Sequence, residues 1–190
     1  GDPASIASEI TVKAIQSLLN NTYIKPIVIS NIKLLENSKN IIKSDITLNI
    51  IKDLKKFSDF QKNCLNLIPL DIHHEVVLGK PNYKNSSFVK DSIEMCVSII
   101  NTSIASAIVT NPINKNVMHK AGFKFNGHTD YLESLSIIKK NAIMMLVTDK
   151  LKTIPLTIHV PLKDVPKLIT KDLILNTIKI LIKDFNLYFG

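Results

Sequence analysis

Lys25-Pro-Ile-Val-Ile-Ser30 is the stretch on which the fold turns. A proline interrupts what precedes it, and Ile27, Val28 and Ile29 then run apolar without alternation. A strand with one wet face alternates; an unbroken β-branched run suits a parallel sheet covered on both faces. Upstream, Ile6, Ile10, Ala14 and Leu18, with Ile15 and Leu19 alongside, recur at a helical period, and Ser5 is placed to cap that helix. Downstream, residues 31–38 predict a short helix and residues 65–72 a second strand, ending near Asp71-Ile-His-His74. Residues 40–59 mix Ile and Leu with Lys and Asp and read as neither. Residues 86–102 predict the clearest helix, with Phe88, Ile93, Val97 and Ile100 on or near one face.

The second half continues the alternation. Ala105 to Thr110 predicts a strand stopped by Asn111-Pro112, residues 114–119 a helix ended by Gly122, and residues 128–140 another helix. Residues 141–148 and 153–160 predict an antiparallel pair about Asp149-Lys150, residues 163–167 a turn, and residues 172–185 a final amphipathic helix. Strands alternating with helices predict an α/β fold with a largely parallel sheet. Polar and irregular residues gather at 110–127, which divides the chain into lobes of residues 1–112 and 113–190.

A chain of 190 residues with 45% hydrophobic content holds a real core. Its net charge is +8, but every basic residue is lysine, scattered, with no run longer than two. A nucleic-acid module clusters such charges on one face, so no nucleic-acid partner is expected. An anionic small molecule is compatible with the charge. No apolar run approaches the roughly 18 residues of a membrane span, so no membrane partner is expected. Cys64 and Cys96 have neither metal nor disulfide spacing, which implies a reduced, cytoplasmic setting. The chain opens at Gly1-Asp-Pro within what reads as a strand-to-helix turn, so a preceding strand is expected.

Three places carry candidate chemistry. Gly127-His128-Thr129 sets an imidazole and a hydroxyl at a helix start, where both, with the helix amides, can donate to a carboxylate or phosphate. Thr129 with Glu133 equally imitates a capping arrangement. His159 lies in the apolar stretch Ile154 to Leu162, as a core residue or as one metal ligand, with Asp164 downstream as its supporting partner or as a cap. Lys115 opens a helix whose dipole disfavours it, which leaves it a substrate-anion role or a solvated one. His73-His74-Glu75 reads as a surface loop and His119 as the exposed side of a helix. Gly-x-Gly-x-x-Gly is absent, so there is no dinucleotide fingerprint.

Taken in order, Gly1-Asp-Pro-Ala4 with Glu9-Ile10, Gly79-Lys-Pro81, Thr110-Asn-Pro-Ile-Asn-Lys115, Ala121-Gly122, Phe125, Gly127-His-Thr129, Met144-Met-Leu-Val147 and His159-Val-Pro-Leu-Lys-Asp-Val-Pro166 resemble the 4-hydroxythreonine-4-phosphate dehydrogenase family of vitamin B6 synthesis. The resemblance implies an isocitrate/isopropylmalate dehydrogenase-like two-lobe fold, incomplete here because the C-terminal part is absent. It implies NAD-dependent oxidation and decarboxylation of 4-phosphonooxy-L-threonine, with a divalent metal of the Zn, Mg or Co type. It implies a homodimer whose active site lies between subunits, and a metal held by three His. By motif, His128 and Thr129 would contact the phosphorylated substrate and His159 would be one metal ligand; NAD contacts are expected beyond Gly190. The isolated chain is then expected to be inactive. Ser5, Ala7 and Ser8 stand where the family has Gly, Gly and Pro, which puts the turn geometry beside Asp2 in question. The competing reading is a non-catalytic remnant that keeps the fold and binds a phosphate-bearing ligand.

Overall fold

A computed structural model describes residues 1–54, 59–137 and 142–188. The chain forms two compact units, Gly1–Ile138 and Lys139–Gly190.

In the first unit, α1 (Ala7–Leu18) precedes β1 (Ile27–Ser30), α2 (Ile32–Ile42), β2 (Thr47–Ile50) and β3 (Cys64–Pro69). The strands form one parallel sheet in the order β1-β3-β2, pairing Val28 with Leu67 on one side of β3 and Leu48 with Leu65 on the other. The unbroken apolar run of β1 therefore lies in a parallel sheet, as its sequence predicts, but at the edge of the described sheet, where all four residues are only half-buried rather than covered on both faces. Leu65 and Leu67 of the central strand are fully buried beside Val12 and Ile15 of α1, Leu35 of α2 and Ile46. Asn31 caps α2 by accepting from Lys33 N and Leu34 N, and the left-handed Lys43 ends it.

The middle residue of β3 is polar. Asn66 is buried, and its side chain is satisfied on both ends: Oδ1 accepts from Gln61 N at 2.9 Å and Asn49 Nδ2 at 2.8 Å, and Nδ2 donates to Gln61 O at 2.9 Å. This bond set ties the entry of β3 to β2, resolving part of the stretch 40–59 whose pattern is mixed.

After β3 come a 3-10 turn (Tyr83–Asn85), α3 (Ser86–Asn101), α4 (Lys115–Lys120) and α5 (His128–Leu135). The buried face of α3 runs through Phe88, Val89, Ser92, Ile93 and Ile99, with Val97 and Ile100 only half-buried. A second apolar cluster joins Val89 and Ile93 to Met118 of α4 and Tyr131 of α5. The ring of Tyr131 meets Phe123 edge-on at 4.9 Å, and its hydroxyl donates to Glu94 Oε1 at 2.7 Å. α4 and α5 thus pack on α3 within this unit.

The second unit holds β4 (Leu146–Val147) and β5 (Lys152–Thr153), a 3-10 turn (Leu162–Asp164), α6 (Val165–Leu168) and α7 (Lys171–Tyr188). β4 and β5 pair antiparallel about the expected turn, where Thr148 N donates to Leu151 O at 2.8 Å.

Three sequence expectations need correction. Ala105 to Thr110 forms no strand: among the described residues none pairs with it, and Val109 is 96% exposed. The antiparallel pair spans two residues on each side rather than eight, since Pro155 lacks the donor that would extend the ladder. His159 accordingly lies outside any strand, at a bend with φ of 58°. In addition, α5 stops at Leu135 because Ser136 turns extended; the rest of the expected helix, from residue 138 to 140, lies outside the described residues.

Candidate functional site

The opening turn and the Asn111-Pro112 turn, a hundred residues apart in sequence, meet. Asp2 N donates to Pro112 O at 3.1 Å. Asn111 Nδ2 donates to Ala7 O at 3.2 Å and to Thr11 Oγ1 at 2.7 Å, fastening the second turn along α1. Asp2 is buried, and its Oδ1 accepts from Ala4 N at 2.9 Å, closing the turn on itself. Gly1 is packed so tightly that a Cβ there would lie 2.6 Å from Asn111 Cβ and 2.8 Å from Ala7 Cβ.

The substitutions Ser5, Ala7 and Ser8 do not distort this turn. None of the three has a positive φ, so no Cβ penalty arises. Ser5 adds a bond instead: its Oγ donates to Asp2 O at 2.8 Å and accepts from Ala7 N at 3.3 Å. The N-cap position itself is Ile6 rather than Ser5.

From Pro112 the chain runs into α4, capped by Asn114, whose Oδ1 accepts from Val117 N at 3.2 Å. Lys115 is the first helical residue, and it reaches toward α5: its Cε lies 3.6 Å and its Nζ 3.9 Å from where a Cβ on Gly127 would stand. Gly127 has an extended backbone, with φ of 169°, which any residue adopts. Its lack of a side chain therefore matters as open space in front of the Lys115 ammonium.

Next in the chain, His128 offers Nε2 as a buried atom with no partner. Burial lowers its pKa, and the nearby Lys115 ammonium also lowers it. A neutral imidazole beside a cationic group, with an orphaned ring nitrogen, suits an anionic oxygen acceptor. Thr129, half-buried, is the second residue of α5 and not its cap. The residue reaching back over the helix start is Asp130, whose Oδ2 accepts from Asn126 N at 3.2 Å and Asn126 Nδ2 at 2.8 Å. Thr129 is thus relieved of the capping role that Glu133 spacing suggested.

The structure brings Lys115 together with His128, and adds the Gly1–Asp2 turn and Asn111 as their support. Neither Asn111 nor the turn stands out as a contact in the sequence, because no local spacing reports a bond across a hundred residues. Among the described residues three other buried polar atoms lack partners: Glu9 Oε2, Asn85 Oδ1 and Ser86 Oγ. Glu9 belongs to the opening motif; nothing in the pattern around Asn85 or Ser86 signals them.

His159 and Asp164 belong to the second unit. His159 is exposed, and Asp164 ends the 3-10 turn, its N–H donating to Pro161 O at 2.9 Å without a side-chain cap. Among the described residues no group of three or more His, Cys, Asp or Glu is arranged to hold a metal. His159 offers one donor, which does not make a metal centre. His73, His74 and Glu75 lie in an exposed loop, and His119 is exposed with Nε2 3.0 Å from Phe125 O, both as expected. Among the described residues no helix is long and apolar enough to cross a membrane.

Known proteins share this chain's sequence features and fold. A family model described as pyridoxal phosphate biosynthetic protein PdxA matches residues 22–190. A 4-hydroxythreonine-4-phosphate dehydrogenase of Sulfurihydrogenibium sp. is 35% identical over 191 residues, covering 100% of this chain and 57% of that protein. The crystal structure of a 4-hydroxythreonine-4-phosphate dehydrogenase from Burkholderia phymatum matches with a TM-score of 0.81 and 27% identity, over 94% of this chain and 54% of that one. That of the Klebsiella pneumoniae enzyme gives 0.82 and 25%, over 95% and 56%. The chain spans little more than half the length of these relatives. A family match running from residue 22 to residue 190, together with the same α/β fold in two solved structures, places the chain in the PdxA family of pyridoxal phosphate biosynthetic proteins.

Proposed function

We propose that this chain provides the substrate-binding portion of a 4-hydroxythreonine-4-phosphate dehydrogenase, an oxidoreductase of pyridoxal phosphate synthesis. The orphaned, buried Nε2 of His128 carries the reading. With the ring neutral, Nε2–H donates to an oxygen of the phosphorylated substrate. The Thr129 hydroxyl supplies a second donor, and the Lys115 ammonium, across the gap left by Gly127, neutralises charge. Asp2 and Asn111 act as positioning residues, since they fasten the turn that leads to Lys115.

In the enzyme so proposed, a bound divalent metal would supply Lewis acidity at the substrate hydroxyl and bound NAD would supply the hydride acceptor. Among the described residues no group of three or more His, Cys, Asp or Glu is arranged to hold that metal. His159 is proposed as one metal ligand, with Asp164 beside it in sequence. The isocitrate/isopropylmalate dehydrogenase-like lobes at 1–112 and 113–190, the homodimer and the cytoplasmic setting belong to the same proposal. The unpaired Ala105 to Thr110 supports a sheet that is completed by further strands in the whole enzyme. The reading as a non-catalytic remnant loses its main motive, because Ser5, Ala7 and Ser8 leave the opening turn free of positive φ.

The test is calorimetric titration of the chain with 4-phosphonooxy-L-threonine. We expect saturable binding that His128→Ala weakens by about tenfold, the loss of one charge-assisted hydrogen bond. Saturable binding indifferent to His128→Ala, or none, overturns the assignment.

A further inference from the structure

A second place in the first unit gathers cationic side chains and uses none of the residues assigned above. A cleft of about 520 Å³ lies among the loop before the Tyr83–Asn85 turn, that turn itself, and the C-terminal half of α4. Three of its lining residues are Lys80, Lys84 and Lys120, joined by His74; the only carboxylate in the wall is Glu75. At neutral pH the three ammonium groups outweigh that single negative charge. Among the described residues none of the three lysines has a carboxylate within ion-pair distance, in contrast to Lys39 with Glu36 and Lys90 with Glu94.

The lysines stand on fixed backbone. Lys80 closes a tight turn: its N–H donates to Val77 O at 3.0 Å, and Gly79, with φ of 77°, donates to Ala4 O at 2.8 Å. Lys84 sits in the 3-10 turn, where its N–H donates to Asn82 Oδ1 at 3.0 Å. Lys120 ends α4, where a cation also suits the helix dipole. The loop carrying His74 and Glu75 is tied down by Asn85 Nδ2, which donates to Glu75 O at 3.1 Å. Three lysine stems rooted around one cleft concentrate positive charge there, and a bound anion would be attracted to it. Pro81, Val77 and the ring of Tyr83 add apolar wall for the organic part of a ligand, and the volume falls in the range of small-molecule pockets.

We propose that this cleft binds a phosphate-bearing small molecule through Lys80, Lys84 and Lys120. The test is titration of the 190-residue chain with inorganic pyrophosphate, followed residue by residue by amide NMR. Saturable shifts are expected at residues 74–84 and 117–120. Lys80→Ala with Lys84→Ala and Lys120→Ala should weaken pyrophosphate binding there by at least about tenfold, more than a single lost charge-assisted contact. All three positions are exposed, so the fold does not depend on them. A control removing the exposed Lys13, Lys33 and Lys171 carries the same change in net charge and should leave the cleft affinity within a factor of about two. Shifts at residues 127–129 report the His128 region separately, and His128→Ala should not alter the cleft. The inference is overturned if the cleft amides do not shift, or if the two triple variants weaken binding equally.

Discussion

Replacing Asn66 by Ala tests how much of the first unit rests on one buried polar residue. The side chain is 2% exposed in the central strand and makes three hydrogen bonds. Each such bond contributes about 1 kcal/mol net, and a partner left buried and unsatisfied costs about 1–3 kcal/mol. The three losses are unequal. Asn49 Nδ2 retains Asp59 O at 2.6 Å, so it is not orphaned. Gln61 is an exposed residue, so water can replace Asn66 at its N–H and carbonyl. The expected loss is therefore about 2 kcal/mol rather than the larger sum. Amide hydrogen exchange along β3 reads this directly, because these core amides exchange only through opening of the unit. A loss of 2 kcal/mol accelerates them roughly thirtyfold. Acceleration below about threefold would refute the reasoning, since it would mean that the Asn66 bonds merely replace equally good bonds to water.

Two further outcomes follow from the site. Because the pKa of His128 is lowered from its ordinary 6.5 in the folded chain, the unfolded chain binds more protons as pH falls below that value. The contribution of His128 to stability is thus fully present above about pH 6.5 and declines below it. His128→Gln should flatten the fall in melting temperature between about pH 7.5 and 5.5, and parallel slopes in the two proteins would contradict the burial argument. Asn111→Ala removes the bonds to Ala7 O and Thr11 Oγ1 and should cost about 1–3 kcal/mol in urea unfolding. It should also weaken binding of the phosphorylated substrate, and an unchanged affinity would separate the turn from the site.

The parts of the fold legible in the sequence are those governed by local pattern. The apolar run of residues 27–29 makes a parallel strand, and the period of residues 6–19 makes α1. Asn31 and Asn114 cap helices through their own side chains. What the pattern missed depends on partners. Ala105 to Thr110 has strand composition, but a strand exists only as a pairing, and no neighbour flanks it among the described residues. Residues 153–160 look like a strand until Pro155 is weighed for the donor it lacks. Asn66 gives no hint that it is buried, because its value comes from Gln61 and Asn49 on neighbouring chain. In the candidate site, Lys115, His128 and Thr129 were legible as residue types that bind anions. Their support by Asp2 and Asn111 was not, since it rests on contacts of long sequence separation.

The bonds from Asn111 to α1 bear on the order in which the molecule is assembled. They span sequence separations of 104 and 100 residues. Closing a loop of that length is entropically unfavourable, and the loss is lightened only when the intervening elements have already docked. The sheet and α3 rest on much shorter excursions of chain, so loop-closure entropy favours fastening Lys115 to the N-terminal helix after them. If His128 binds an anion as proposed, that affinity would depend on this late junction, and a chain that has acquired its helices and sheet but not the junction would have the secondary structure of the native protein without the affinity.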